Sequence, residues 1–324
     1  MNENLKTICD TVIKNIQTAS AFYKIEYKSS FAVYGITNAD REHNPDKIEE
    51  AKSLVKETLS KPYSFASYAP RMTALSKAVR SDDPSGTVTK IKQNYELMTE
   101  VFGPNAFTAV LAGLLTDCEG DIRALADKAS GILKIMRKRH PLLGVSSTDY
   151  PVIAFMAMSN KSAEDMISES DIIFDALKKE FKFDKENAYT VSYMLSASDD
   201  PTEWKLKSAA ALREELLAQK IKYSGYGTIT ILDPLTAASM RTDRGIIAND
   251  IAEADKYFAS QKGIGGVFGM SDNIRRMLAS SCVIKALGED KAPFSECEYL
   301  TVMSCQNQIK SEQDSSAATT VPVI

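Results

Sequence analysis

Asn187-Ala-Tyr-Thr-Val-Ser-Tyr-Met-Leu-Ser-Ala-Ser198, then Asp199-Asp-Pro201, then Glu203 through about Gln219, is the stretch on which the reading of this chain turns. Its opening is rich in small and apolar residues, its middle is a polar corner, and its end is a more charged amphipathic run. The corner has a physical reason. Ser or Asp side chains accept hydrogen bonds from the free N–H groups of a helix's first turn, and proline fits at the start of a helix, where its missing N–H costs nothing. The stretch therefore predicts two helices joined at a capped corner.

Related units extend outward from it. The string Ser198-Asp-Asp-Pro201 occurs once more, as Ser81-Asp-Asp-Pro84. A shift of 39 residues places Tyr189 on Tyr150 and Ser198 on Ser159; a further 43 reaches Phe107, and a further 35 reaches Met72. Going forward 41 from Ser198 reaches Ser239. Ser162-Ala-Glu-Asp165 and Thr116-Asp117 read as variant helix starts, with acidic groups near the positive end of the helix dipole. Such spacings belong to arrays of helix pairs, though they vary too much for a strict consensus repeat. The tetratricopeptide pattern fails, because the chain has a single tryptophan, Trp204.

The flanks are less regular. Leu5, Ile8, Val12, Ile13, Ile16 and Ala19 draw one apolar helical stripe. Residues 24–44 lack such a stripe, and Gly35 with Asn38-Ala-Asp40 predicts a loop or irregular helix there. Pro45 opens a helix through Ile48, Ala51, Leu54, Val55 and Leu59, which Lys61-Pro62 ends. Beyond residue 220, Tyr223–Pro234 holds two glycines and a β-branched alternation, which predicts a short extended segment near 226–232 or a loop into the next helix. Helices over 246–261, 271–287 and 294–311 complete the body, with a glycine-rich link at 263–269. The fold class is all-α: antiparallel helix pairs stacked in a right-handed, solenoid-like array. We expect one domain over 1–311, with an irregular helical region at 1–62, the pair array at 63–241, a less regular helical region at 242–311, and a disordered tail at 312–324.

Composition narrows the function. The chain has 324 residues, is 44% hydrophobic and 25% charged, and carries a net charge of −4. That balance argues against a nucleic-acid or anionic-membrane binder. No secretory leader and no run of about eighteen apolar residues is present, so no membrane span is expected. Cys9, Cys118, Cys282, Cys297 and Cys305 are scattered and odd in number, which fits reduced thiols and a cytoplasmic location.

Motifs for chemistry are scarce. His43 and His140 are the only histidines, and neither has a partner at metal-ligand spacing, so no metal site is expected. Gly263-Ile-Gly-Gly-Val-Phe-Gly269 follows a predicted helix instead of the strand a dinucleotide loop needs, and no cofactor is expected. No P-loop and no nucleophile elbow occurs, and we expect no catalytic residue. Lys134-Ile-Met-Arg-Lys-Arg-His140 reads as a solvated helix C-terminus or as a contact for phosphate or an acidic partner. Glu164, Asp165, Glu169, Asp171 and Asp175 read as a wet acidic face. Arg71-Met-Thr-Ala74 and Arg276-Met-Leu-Ala279 are similar tetrads at opposite ends of the array. Each arginine either packs its stem and wets its head, or lines a groove and holds a carboxylate or phosphate.

The rhythm around Tyr150-Pro151 and Tyr189, with the closing Asn273-Ile-Arg-Arg-Met-Leu-Ala279, resembles a bacterial family of uncharacterised proteins, domain of unknown function 4003. The resemblance implies a bacterial protein with no assigned activity and supplies no catalytic residues. Helix arrays expose a long concave face that commonly binds proteins or peptides. The leading expectation is thus a non-enzymatic interaction or regulatory protein with a protein or peptide partner. The rival is an enzyme or small-molecule sensor holding an anionic ligand between helices, near Arg71, Tyr189, Tyr193 and Arg276.

Overall fold

The computed structural model describes residues 1–22, 29–60, 63–118, 120–139, 145–179, 185–223, 232–265 and 269–288. The expected extended segment at 226–232 (save Leu232, which is helical), the helix at 294–311, the tail, His140, Cys297 and Cys305 lie outside the described residues. Among those described there are fourteen α-helices: α1 Glu3–Phe22, α2 Ser29–Thr37, α3 Pro45–Leu59, α4 Tyr68–Arg80, α5 Pro84–Phe102, α6 Ala106–Leu114, α7 Ile122–Arg139, α8 Tyr150–Met158, α9 Ala163–Lys179, α10 Lys185–Ser196, α11 Thr202–Ala218, α12 Leu232–Ser239, α13 Arg244–Ala259 and α14 Asp272–Leu287. The all-α expectation holds.

The helices are of two kinds, and sequence pattern decides which. Odd-numbered helices carry one apolar stripe, such as Ala126, Ala129, Ile132, Leu133 and Met136 on α7 or Ile247, Ala248, Ile251, Ala254 and Phe258 on α13. A helix with one stripe covers a core and shows its other face to water. Even-numbered helices are buried all round: every residue from Phe107 to Leu114 on α6, Pro151 to Ala157 on α8, and Met72 to Val79 on α4. Such a helix must have neighbours on every side.

Those neighbours form a ring. Helices α2, α4, α6, α8, α10, α12 and α14 each pack on the next, and α14 packs back on α2. Outside them α1, α3, α5, α7, α9, α11 and α13 form a second ring, with α13 packing on α1. The stack expected to be an open solenoid joins its two ends. Among the described residues the inner helices thus close on one another, where the sequence predicted an extended concave face. Of residues 24–44, read as a loop or irregular helix, the described part holds α2, with Phe31, Ala32, Val33, Tyr34 and Ile36 all buried, and then a non-helical corner at 38–44. The helix lacks a stripe because it is an inner helix, apolar on all faces. The described helices before 63 and after 241, α1, α2, α3, α13 and α14, pack as members of the two rings.

Closure falls to α1, which packs on both α14 and α2. Leu5, Cys9, Val12, Ile13, Ile16 and Ala19 are buried along it. At about 1.5–3 kcal/mol gross for each large side chain, this stripe is a major term beside a net stability of about 5–15 kcal/mol. Asn4 Nδ2 donates to Ala286 O at 3.2 Å, and Tyr257 OH donates to Asp10 Oδ1 at 2.5 Å. Gly35 lets α2 approach closely, since a Cβ there would meet Ile16 Cγ1 at 2.7 Å and Val12 Cγ1 at 3.2 Å.

The corners follow the capping logic with differences in register. Asp83 is the N-cap of α5 and accepts from Gly86 N at 2.9 Å, with Pro84 at the first helical position. In the second copy the helix starts one residue later: Pro201 is the N-cap of α11 and Ser198 Oγ accepts from Asp200 N at 3.2 Å. Ser162 accepts from Asp165 N at 3.1 Å, as expected for a start. Thr116 and Asp117 belong instead to the 3-10 turn ending α6, and Asp121 caps α7.

The seat of α1 gives a prediction whose sign decides. In a helix free of that contact, Gly35→Ala gains about 1 kcal/mol from propensity. With α1 seated, the same Gly35→Ala should instead cost about 1–3 kcal/mol by overpacking, read as a lowered urea midpoint, and a raised midpoint would contradict the seat.

Candidate functional site

The ring brings the four candidate side chains into a new relation. Arg71 is near the start of α4 and Arg276 near the start of α14, with only α2 between those helices, although the sequence sets them at opposite ends of the array. Each has its own work. Exposed Arg71 donates from Nε to Phe65 O at 2.7 Å. Arg276 donates to Lys222 O at 3.2 Å and is ion-paired with Asp255 at 3.7 Å and Asp272 at 3.8 Å. Arg275 beside it holds Asp255 at 2.6 Å. Tyr189 and Tyr193 are together on α10, ring centroids 6.0 Å apart, and Tyr189 stacks on Phe174 at 3.8 Å. Burial pushes both phenols above their ordinary range, so neither is poised to ionise. The tyrosines thus form one aromatic cluster, and α10 is not a ring neighbour of α4 or α14.

A more built arrangement lies where the inner helices end. Their C-terminal ends share one face of the ring, tied by Arg80 to Thr37 O at 2.8 Å, Lys77 to Asp117, Ser159 Oγ to Ala197 O at 2.7 Å, and Arg241 to Asp200 at 3.8 Å. Cations suit these ends, where unpaired carbonyls and the negative end of the dipole face them. The seventh residue of an outer helix supplies such a cation twice: Lys90 on α5 reaches Thr116 O at 2.6 Å, and Lys128 on α7 reaches Ser159 O.

At the same position α9 carries Glu169, and the local chemistry is rebuilt around the change of sign. Lys205 of α11, fully buried, donates to Leu195 O at 2.8 Å, Ser198 O at 2.9 Å and Glu169 Oε1 at 2.5 Å. All three of its protons are used. Lys161 pairs with Glu169 and reaches Ser198 O at 3.3 Å, and Thr202 Oγ1 donates to Glu169 Oε1 at 2.8 Å. Burial would raise the Glu169 carboxyl, but the bonds from Lys161, Lys205 and Thr202 outweigh it and hold the group below its ordinary value. The acidic face read as wet is corrected at Glu169; Glu164, Asp165 and Asp175 are exposed, and Asp171 pairs with Arg139 at 3.3 Å. The visible signal was that reversal of charge at an equivalent position. Chemically the cluster is saturated and pins α9, α10 and α11 together.

Among the described residues no group of three or more His, Cys, Asp and Glu is placed to hold a metal, and no helix is long and apolar enough to cross a membrane. The outer wall is more distinctive. Trp204 is 63% exposed, Ile172 61%, Ile246 56% and Leu217 41%. All four are on α9, α11 and α13, three consecutive outer helices that also carry eleven Asp and Glu against seven Lys and Arg. Sequence reading treated Trp204 only as a missing repeat marker.

A family model described as "Protein of unknown function (DUF4003)" matches residues 13–312, nearly the whole chain. No curated protein matches, and no solved structure matches.

The Glu169 pin predicts a pH effect. Its carboxyl is depressed on folding, so its contribution is complete above about pH 4.3, the ordinary glutamate value, and disappears as pH falls through the folded value. Glu169→Ala, which leaves Lys205 buried without a counter-charge, should cost about 3–5 kcal/mol at pH 7 and reduce the loss of stability on acidification. Denaturant melts at pH 7 and pH 3.5 measure both, and an unchanged midpoint at pH 7 would refute the pin.

Proposed function

The chain belongs to the DUF4003 family, whose function is unknown, and on that premise we propose that it is a non-enzymatic interaction protein that docks a protein or peptide partner on its outer wall. One observation carries the reading. Single exposed apolar residues are ordinary on any surface, but four of the five large exposed ones among the described residues lie on three consecutive outer helices, α9, α11 and α13. Tryptophan is the residue most enriched among binding hot spots, because a large rigid ring buries much area at little entropic cost. Trp204, in the first turn of α11, is the anchor.

The wall is favoured over the inner helices because residues there such as Phe107, Val110, Leu114 and Phe155 are buried. An enzyme or anionic-ligand sensor built on Arg71, Arg276, Tyr189 and Tyr193 draws no support from their placement, since both arginines are engaged locally and the tyrosines form a separate cluster. The proposal keeps the protein in the bacterial cytoplasm, as a helical-repeat scaffold.

Trp204 is the chain's sole tryptophan, so its emission reports on this surface alone. The free protein should emit at the long wavelength of a hydrated indole and shift to the blue when a partner captured by crosslinking is added. Trp204→Ala should weaken capture by about tenfold or more, the 1.4 kcal/mol and above expected of a hot spot, without moving the thermal midpoint. Capture that is equal for Trp204→Ala, Ile172→Ser and Ile246→Ser proteins would remove this wall as the docking surface.

A further inference from the structure

We propose that His43 is a proton-sensitive pin holding α1 against the corner between α2 and α3, and that mild acid frees this edge of the ring while the rest stays folded. The inference is independent of the partner reading. The pin is built from three buried side chains. Asn15 of α1, 1% exposed, donates from Nδ2 to Asn38 O at 2.7 Å and to Arg41 O at 2.9 Å, and its Oδ1 accepts from His43 N at 3.4 Å. One side chain of the closing helix thus binds three backbone atoms of the corner.

His43 holds the corner in that shape. It is 7% exposed, and its Nε2 lies 3.0 Å from Asn38 Oδ1. Asn38, fully buried, spends its amide on Tyr34 O at 2.9 Å. Its oxygen is therefore an acceptor, and His43 Nε2 must donate. The neutral ring carries its hydrogen on Nε2, so an added proton goes to Nδ1 and creates a cation.

The surroundings oppose that cation from every packed element. Lys47 on α3, Arg41 in the corner and Arg80 on α4 disfavour it, and Lys14 on α1 lies on the same corner through Glu42. Asp40 favours it, but Arg41 at 3.5 Å and Arg80 at 3.8 Å already share that carboxylate. Burial first, then Lys47 and Arg41, hold the imidazole below its ordinary value. A group so depressed stabilises the fold fully above its unfolded pKa, about 6.5, and loses that contribution as pH falls through the folded value. His43 and His140 are the chain's two histidines, so a variant of each separates their effects.

Hydrogen exchange on the full chain between pH 7.5 and 5.0, corrected for intrinsic rates, tests the pin. Amides of residues 9–19 and 38–44 should open more at pH 5.0, by the factor that the His43 pKa read by NMR sets against 6.5, with α6 to α10 unchanged. His43→Gln, which still donates to Asn38 but takes up no proton, should abolish the change, and His140→Gln should keep it. A proton NMR titration of the unaltered protein should place His43 below 6.5, a readout independent of how the variants fold. Titration at or above 6.5, no acceleration in acid, or equal acceleration in His43→Gln would each overturn the proposal.

Discussion

A helix that is apolar on every face cannot stand at the end of a row. Seven helices here are of that kind, and each must be flanked by two of its own sort and covered from outside. An open array would leave one flank of α2 and one of α14 bare, and α14 alone buries Ile274 and every residue from Met277 to Ile284. Meeting of the ends relieves both flanks at once. What remains is a cleft in the outer layer, and α1 fills it with its stripe from Leu5 to Ala19. The beginning of the chain thus packs on α2 and also on the last described helix. Most of the architecture follows from this one burial constraint.

The second constraint is polar. Closing the ring gathers the ends of the inner helices on one face, each presenting unpaired carbonyls. Water meets some of that need, and cations from neighbouring elements meet the rest: Lys90, Lys128, Lys161, Lys205 and Arg80. These links join adjacent helices, so the groups that cap the ends also fix neighbour to neighbour. Lys205 shows how far this goes, since an ammonium with no solvent exposure persists only because two carbonyls and a carboxylate surround it.

The sequence made some of this legible. Outer helices announce themselves by a 3.6-residue stripe, and α1, α3, α7 and α13 were readable from it. Inner helices lack a stripe for the very reason they are inner, so α2 read as a loop or irregular helix, and Gly35, taken as a mark of that irregularity, is a point of close approach. Ring closure was hidden because it depends on a pairing between residues as distant as Asn4 and Ala286, with no local trace. The Glu169 cluster was hidden differently: its lysines come from a corner and another helix, and only their assembly makes the carboxylate dry. Arg71 and Arg276 were singled out for a shared pattern, which reflects equivalent positions near the starts of inner helices.

Both proposals rest on the same closure: recognition by the wall that carries Trp204, and acid sensing at the edge where α1 meets the corner at His43. The most direct measurement is therefore the distance between α1 and α13, by dipolar spectroscopy with spin labels at Thr7 and Lys256, both exposed. Closure predicts one narrow distribution on the order of 20 Å, set by helices packed about 10 Å apart plus the label arms. Seven pairs stacked openly at about 10 Å each would instead put the labels about 60 Å apart, and a broad distribution near that value would contradict the ring.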